Sequence, residues 1–439
     1  MRLKLQRCVL LLGLLALASC HKEILERPNI IIFFTDDQGY ADVGVYGSDG
    51  FETPNLDKLA GDGIRFIDFY VPATVCSPSR AALLTGKYPK RVNMHIGVLT
   101  PYSKTGLEPN EYLLPEMLKD NGYTTSCIGK WHLGHIEKYM PNNQGFDDFY
   151  GVPYSNDMDG YYYAHNDFQS PPLPFYRNRN VIGSSIEQSQ LTKMYTIEAI
   201  KQIRERKKGS PFFIYLAHNM PHTPLQVSEA FKGSSERGLY GDVIMELDWS
   251  MGEIIKVLKE EDIYKDTMII FTSDNGPEIG SALPLRGKKA QTWEGGQRVP
   301  GIISWPRKIP KGMVSSEVVS TLDIFPTLAK VCGQSIEQFE DLDGINILEV
   351  LKNPESAKLN KRPFYYYARN GDLEAVRLGD WKLHISKSQG WNTEDKGEFQ
   401  MALYNLKTDI GEQHNVANQY PSLVDQLKQM MLDFDSNVK

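Results

Sequence analysis

Short, unbroken apolar runs alternate along this chain with longer segments of helical periodicity, and that alternation restricts the fold more than any other feature. The run Asn-Ile-Ile-Ile-Phe-Phe-Thr at 29–35 places β-branched and aromatic residues at every interior position. A strand with one wet face would alternate apolar and polar residues, so this one is expected to be covered on both faces. Further strands are expected at 124–128, 211–217 and 267–273, with another apolar run at 300–305. Helical patterns occupy 56–63, 115–121, 242–260 and 322–331. The pattern predicts an α/β fold: a large, mostly parallel sheet with helices on both faces. After about Asn353 the texture changes. Strands are expected at 364–368, 375–378 and 381–385, the last two paired across Gly379-Asp380. A short extended piece at 403–406 and a closing helix at 422–434 follow. This predicts a small C-terminal antiparallel sheet with a helix, joined to the main body by a broad, fixed interface because no flexible linker separates them. The expected division is 24–353 for the main α/β domain and 354–439 for the C-terminal α+β subdomain.

Residues 1–19 stand apart from the fold. Arg2, Lys4 and Arg7 precede an apolar stretch from Cys8 to Ala18, the pattern of a secretory signal peptide, too short to span a membrane. It ends Leu17-Ala18-Ser19-Cys20, which resembles the bacterial lipobox. Cleavage before Cys20 would leave a lipidated cysteine and a membrane-anchored lipoprotein facing the periplasm or cell surface. Of five cysteines, Cys8 and Cys20 belong to this segment. The remaining Cys76, Cys127 and Cys332 are too few for a disulfide framework. Cys127 and Cys332 read as core, and a bridge between them is left open. A net charge of −7 and the lack of any long basic tract exclude a typical nucleic-acid binder.

In open parallel sheets, ligands bind beyond the carboxyl ends of the strands. Here those ends carry Asp36-Asp37, Gly129-Lys130-Trp131-His132, His218-Asn219-Met220-Pro221-His222 and Asp274-Asn275-Gly276. All are expected to crowd one rim. Asp36, Asp37, Asp274 and the amide oxygen of Asn275 are hard oxygen donors that would repel one another without a cation. They point to a divalent Ca²⁺ or Mg²⁺. No Cys/His cluster with zinc spacing competes. The run Cys76-Ser77-Pro78-Ser79-Arg80 adds a nucleophile: Pro78 suits the first position of a helix, which would put Cys76 just before an anion-attracting N-terminus, with Arg80 one turn away. Lys130, Arg80 and the pair Lys288-Lys289 can supply positive charge to a leaving oxygen. His222, flanked by Pro221 and Pro224, can supply a proton near neutral pH, as could His132. His218 is the weaker candidate, divided evenly between a site role and a structural one.

The run from Cys76 through Leu84-Thr85-Gly86 resembles the signature of the formylglycine-dependent sulfatases of the alkaline phosphatase superfamily. Similar too are Leu285-Arg286-Gly287-Lys288-Lys289 before Trp293-Glu294-Gly295-Gly296, and the turn Gly379-Asp380-Trp381-Lys382-Leu383. The resemblance is to the arylsulfatase A and N-acetylgalactosamine-6-sulfatase branch. It implies an alkaline-phosphatase-like fold and a Cys76 oxidised to formylglycine by a sulfatase-maturing enzyme. It implies a metal held by Asp36, Asp37, Asp274, Asn275 and modified Cys76. It assigns Lys130, Lys289, His222 and Ser155 to the sulfate, with Lys289 rather than Lys288 as the family lysine. Arg80 would support the nucleophile, His222 would protonate the departing alcohol, and His132 would take a proton from the formylglycine diol as sulfate leaves. The expected substrate is a sulfated glycan fragment. Two other functions compete: hydrolysis of a phosphomonoester or phosphonate ester, and binding of sulfated glycans without cleavage. Tyr161-Tyr162-Tyr163 and Tyr365-Tyr366-Tyr367 offer sugar-stacking faces, although such tyrosines more commonly pack in a core.

Overall fold

The structure is a computed structural model that describes residues 27–160, 170–339, 341–359, 361–387, 390 and 399–438. The signal segment, Cys20 and Tyr161–Tyr163 therefore lie outside the described residues. Ten strands form one sheet, in the order 313–315, 64–66, 301–304, 267–273, 29–35, 212–217, 124–130, 148–152, 174–177 and 180–184. The five central strands, from Thr267–Ser273 to Asp148–Val152, run parallel. The flanks depart from the expected parallel order. Gly301–Ser304 returns antiparallel beside Thr267–Ser273, and Pro174–Arg177 pairs antiparallel with Asp148–Val152. Between Ser273 and Gly301 the chain forms only the four-residue helix Glu294–Gln297, too little for a parallel crossover.

The Asn29–Thr35 strand is buried throughout, and its alternation divides the core. Ile30, Ile32 and Phe34 enter one hydrophobic layer with Leu83, Met117 and Leu328, residues of helices Cys76–Thr85, Leu114–Asp120 and Ile324–Val331. Ile31 and Phe33 enter the opposite layer with Leu56, Tyr195 and Leu247, from helices Pro54–Gly61, Leu191–Glu205 and Gly238–Glu260. Each such fully buried side chain contributes about 1.5–3 kcal/mol relative to exposure. Two covered faces explain why the strand has no polar break.

The four C-terminal strands, Pro363–Tyr367, Leu373–Leu378, Trp381–His384 and Ala402–Asn405, form an antiparallel sheet in chain order. Val424, Leu427 and Met431 of the closing helix Pro421–Asn437 pack on it in one cluster that also holds Ala82 and Tyr88 of the main body. Tyr365, Tyr366 and Tyr367 are all buried, so they are packing residues and offer no sugar platform. Cys127 and Cys332 are buried and free. Among the described residues no helix is long and apolar enough to cross a membrane.

Candidate active site

The expected strand-end groups converge. The rim loops are fixed by hydrogen bonds that continue the sheet past its strands. Asp36 N donates to Met220 O (3.2 Å), Asp274 N to Thr35 O (3.1 Å) and His132 N to Pro153 O (3.1 Å). Asp37 and His132 hold left-handed backbone, with φ of 65° and 59°. Non-glycine residues adopt that region rarely, and where surrounding structure enforces it the position is commonly a functional one.

Cys76 is the first residue of helix Cys76–Thr85, not the residue before it, so Pro78 is the third helical residue. The correction leaves the chemistry intact, because the N–H groups of the first three helical residues have no partner within a helix and a proline there loses nothing. Cys76 Sγ lies 3.5 Å from Asp36 Oδ1. Burial, with the charge of Asp36 and Asp274, pushes its thiol well above the ordinary cysteine value despite nearby Lys130. An unmodified Cys76 is therefore a neutral thiol and a poor nucleophile.

Arg80 donates from Nε and Nη2 to Asp274 Oδ2 (3.2 and 2.8 Å) and from Nη1 to Lys130 O (2.9 Å). Lys130 Nζ donates to Asp36 Oδ2 (2.6 Å) and Ser155 Oγ (3.0 Å). Lys289 Nζ donates to Asp37 Oδ2 (2.6 Å) and lies 2.9 Å from His222 Nε2. His222 Nδ1 meets Thr223 O at 2.5 Å, so Nδ1 carries a proton and Nε2 accepts from the ammonium. His132 Nε2 donates to Leu99 O (2.8 Å) while its Nδ1 is buried without a partner. Burial, then the charges of Lys130 and Arg80, hold His132 well below its ordinary pKa. His132 is thus a neutral imidazole with a free lone pair.

The three carboxylates face Arg80, Lys130 and Lys289, and two of them are shifted in opposite directions. Burial would raise Asp36, but Lys130, His222 and Arg80 outweigh it and hold it well below the usual range. Asp274 goes the other way: burial and the Asp36 charge push it up to about 7, against Arg80. Asn275 Nδ2 donates to Asp37 Oδ1 (2.6 Å), and Asn275 Oδ1 is buried with no partner. Three carboxylates and an orphaned amide oxygen fit a hard divalent cation. Ligand atoms of Asp36, Asp37, Cys76 and His222 lie within 4.8 Å of one another. His222 nevertheless already accepts from Lys289, which leaves the oxygens as the better donor set.

A cavity of about 470 Å³ opens over these groups, lined by Cys76, His132, Ser155, His222 and Lys289. Two expected candidates stand outside it. His218 is fully buried against Phe33, at 4.6 Å between ring centroids, and burial lowers its pKa to about 3, so it is structural. Lys288 is exposed and lines a neighbouring groove. Sequence reasoning missed Glu278, which lines the cavity and accepts from Thr223 Oγ1 at 2.9 Å. Its place three residues after Asn275, on the same strand end, was the available signal. Ser77 was also missed: its Oγ accepts from Leu99 N (3.1 Å), in the segment whose carbonyl orients His132.

A parallel sheet whose strand ends gather carboxylates, ammonium groups and two imidazoles beneath one open cavity has the parts of a hydrolase for an anionic ester. The sulfatase family profile matches residues 28–334, and the profile of the N-sulphoglucosamine sulphohydrolase C-terminal region matches 288–437. N-acetylgalactosamine-6-sulfatase of Sus scrofa is 38% identical over 384 residues, covering 82% of this chain and 72% of that protein. Arylsulfatase A of Homo sapiens is 35% identical over 467 residues, covering 95% of this chain and 90% of that protein. The crystal structure of Ps i-CgsB in complex with k-i-k-neocarrahexaose superposes with a TM-score of 0.81 at 32% identity, over 93% of this chain and 92% of that one. The chain belongs to the formylglycine-type sulfatase family, in the arylsulfatase A and N-acetylgalactosamine-6-sulfatase branch, and is a sulfuric ester hydrolase.

Proposed function

We propose that this chain removes a sulfate ester from a sulfated glycan fragment, using a formylglycine made from Cys76 and a Ca²⁺ ion. The observation that carries the reading is the convergence of Asp36, Asp37, Asp274 and the orphaned Asn275 Oδ1 around the Cys76 side chain. When bound at Asp36, Asp37, Asp274 and Asn275, the cation supplies Lewis acidity toward the sulfate and the nucleophile. Formylglycine supplies a hydrated-aldehyde oxygen where the thiol of Cys76 is neutral and weak. The chain's own residues do the rest. Lys130, fixed between Asp36 and Ser155, and Lys289, fixed on Asp37, hold the sulfate oxygens as negative charge grows. His222 and Lys289 share the proton that goes to the departing sugar oxygen. His132 takes up a proton at its free Nδ1 when sulfate leaves. Arg80 holds Asp274 and the carbonyl of Lys130, which fixes two strand ends against each other.

Several features support the substrate class. The structure of Ps i-CgsB, 32% identical to this chain, is a complex with k-i-k-neocarrahexaose, and similar curated proteins are N-acetylgalactosamine-6-sulfatases. The lipobox-like segment at Cys20 supports an exported, lipid-anchored enzyme that meets polysaccharide fragments outside the cytoplasm. The proposal also requires a maturing enzyme that oxidises Cys76.

The decisive test compares Cys76→Ala with the wild type on nitrophenyl sulfate and nitrophenyl phosphate, alongside mass spectrometry of the peptide carrying residue 76. Turnover of the sulfate is expected to fall about 10,000-fold or more, and the wild-type peptide should carry the aldehyde. Full activity from an unconverted cysteine would sink the proposal. Faster cleavage of the phosphate would favour the phosphoester reading.

A further inference from the structure

A second groove, of about 650 Å³, shares Lys289 and Glu278 with the reaction cavity. Its floor is built and fixed. The Arg286 guanidinium lies 3.7 Å over the Trp293 ring, and its Nη1 donates to Glu412 O at 2.9 Å. The loop that forms the wall is pinned at both ends: Ser281 N donates to both Asp42 carboxylate oxygens at 3.0 Å, and Lys289 N donates to Pro277 O at 2.9 Å. The rim is different in kind. Arg237 and Lys288 are exposed there, and neither side chain has an ion pair or hydrogen bond among the described residues. The other described arginines each have at least one partner, as Arg91 has Asp343 and Arg177 has Glu198. Two cations without a salt bridge therefore face one groove beside the reaction site of a chain whose net charge is −7, Arg237 acting electrostatically on Asp42 in the groove wall.

Glu278 stands at the divide between the two spaces, its carboxylate held by Thr223 Oγ1 at 2.9 Å. A carboxylate there repels anionic groups and accepts from neutral hydroxyls. Anions are thereby favoured on either side of the divide and disfavoured on it. The reaction cavity takes the scissile sulfate. The adjoining groove has the room and the charge for a second anion, carried by the next sugar.

We propose that this groove is a subsite for the saccharide neighbouring the sulfated one, and that Arg237 and Lys288 bind an anionic substituent on that neighbour, a sulfate or a carboxylate. The inference rests on the glycan-sulfatase reading above and sharpens it: the preferred substrate is an oligosaccharide with at least two anionic groups, not an isolated sulfated monosaccharide.

The experiment measures binding by calorimetry to the full chain carrying Cys76→Ser, so that no turnover intervenes. Probes are sulfated disaccharides of chondroitin, heparan and carrageenan type, their component monosaccharide sulfates, and uronate methyl esters of the first two. At least one disaccharide is expected to bind more tightly than its monosaccharide. Arg237→Ala with Lys288→Ala should weaken that disaccharide about tenfold and the monosaccharide less than twofold. Arg237→Lys with Lys288→Arg should retain most of the preference. Loss on methyl esterification identifies a carboxylate as the recognised group, and persistence identifies a second sulfate. Raising the salt should erode the preference in the parent and leave the double alanine variant nearly unmoved. The inference is overturned if no disaccharide outbinds its monosaccharide, or if the alanine pair weakens both equally or neither. Turnover by the converted wild type is read separately. A disaccharide preference without hydrolysis would sink the enzymatic reading and leave the subsite standing.

Discussion

Two clusters of buried charge lie on either side of the segment 289–294, and they are finished differently. On one side Lys289 enters the reaction site. On the other Glu294 enters a bolt that joins the large sheet to the C-terminal one. There, Glu294 Oε1 accepts from Lys382 Nζ (3.1 Å) and Tyr366 OH (2.7 Å), and Oε2 accepts from Tyr70 OH (2.5 Å). Glu294 N donates to Glu412 Oε2 (2.8 Å), and Lys382 Nζ also lies 2.9 Å from Glu412 Oε1. Asp68 pairs with Arg377 at 2.8 Å and with Arg298 at 3.0 Å. Each cluster contains one strongly ionised acid and one raised acid. Glu294 is pulled down to about 2 because Lys382, Arg377 and Arg298 outweigh its burial, while burial pushes Glu412 up to about 7. Asp36 and Asp274 form the same kind of pair across the segment. Buried charge therefore does not mark a site. Nor does a partnerless atom alone, since His384 Nδ1 beside the bolt lacks a partner as Asn275 Oδ1 and His132 Nδ1 do; the mark is the cavity that Cys76, His132, Ser155, His222 and Lys289 line.

If the bolt is structural and the site catalytic, stability and turnover should separate. Lys382→Met removes the cation between Glu294 and Glu412 and leaves two buried carboxylates short of charge. It should cost about 3–5 kcal/mol of stability, read by urea unfolding, while turnover per folded molecule stays near the wild-type value. A variant that unfolds normally but hydrolyses slowly would erase the distinction, because the bolt would then be acting on the chemistry.

The next contrast uses the cation. Ca²⁺ at about one hundred times its Kd should stabilise the folded chain by about 2.7 kcal/mol over the chelated protein, read as a rise in the thermal midpoint. Asp274→Asn should lose most of that rise. In Lys382→Met the rise should persist on a lower baseline, since Asp36, Asp37, Asp274 and Asn275 are untouched. A chain indifferent to Ca²⁺ and Mg²⁺ would remove the physical reason for gathering three carboxylates at one rim.

The legibility of these two regions in the sequence is as unequal as their finish. Asp36-Asp37, Lys130, His222 and Asp274-Asn275 are readable because each ends or follows a strand, and the topology of a parallel sheet carries strand ends to one edge. The bolt is invisible in the same way of reading. Asp68, Glu294, Arg377 and Lys382 meet only after two sheets dock, and no local pattern announces a contact between residues so far apart. Helix Leu191–Glu205 was missed because its buried face interleaves Thr192, Thr196 and Glu198 with Leu191, Tyr195 and Ala199, which blurs the apolar stripe. The antiparallel flanks escaped for another reason: Ile64–Phe66 and Gly301–Ser304 are too short for their direction to be read from periodicity. The Leu99 carbonyl that orients His132 is a backbone group and leaves no trace in residue type.

The smallest contrast concerns protons, and here the two regions should agree. His384 belongs to the bolt's surroundings: it is buried edge-on to Trp293, at 4.3 Å between ring centroids, with Thr292 Oγ1 2.9 Å from Nε2. Burial lowers its pKa to about 4, against the pull of Glu374. His218, beneath the reaction site, is lowered to about 3 by burial. Both folded values lie below that of an unfolded histidine, so the unfolded chain binds more protons in the interval. Each histidine's contribution is complete above about pH 6.5 and is lost progressively as the pH falls toward its folded value, at about 1.4 kcal/mol per pH unit. Replacing either by glutamine should flatten the stability profile between about pH 6.5 and 4.5 by that slope, measured as urea-unfolding free energy against pH. An unchanged slope in His384→Gln alone would mean that this imidazole is charged in the folded bolt. The bolt would then carry a further cation, and its balance of Asp68, Glu294 and Glu412 against Arg298, Arg377 and Lys382 would have to be redrawn.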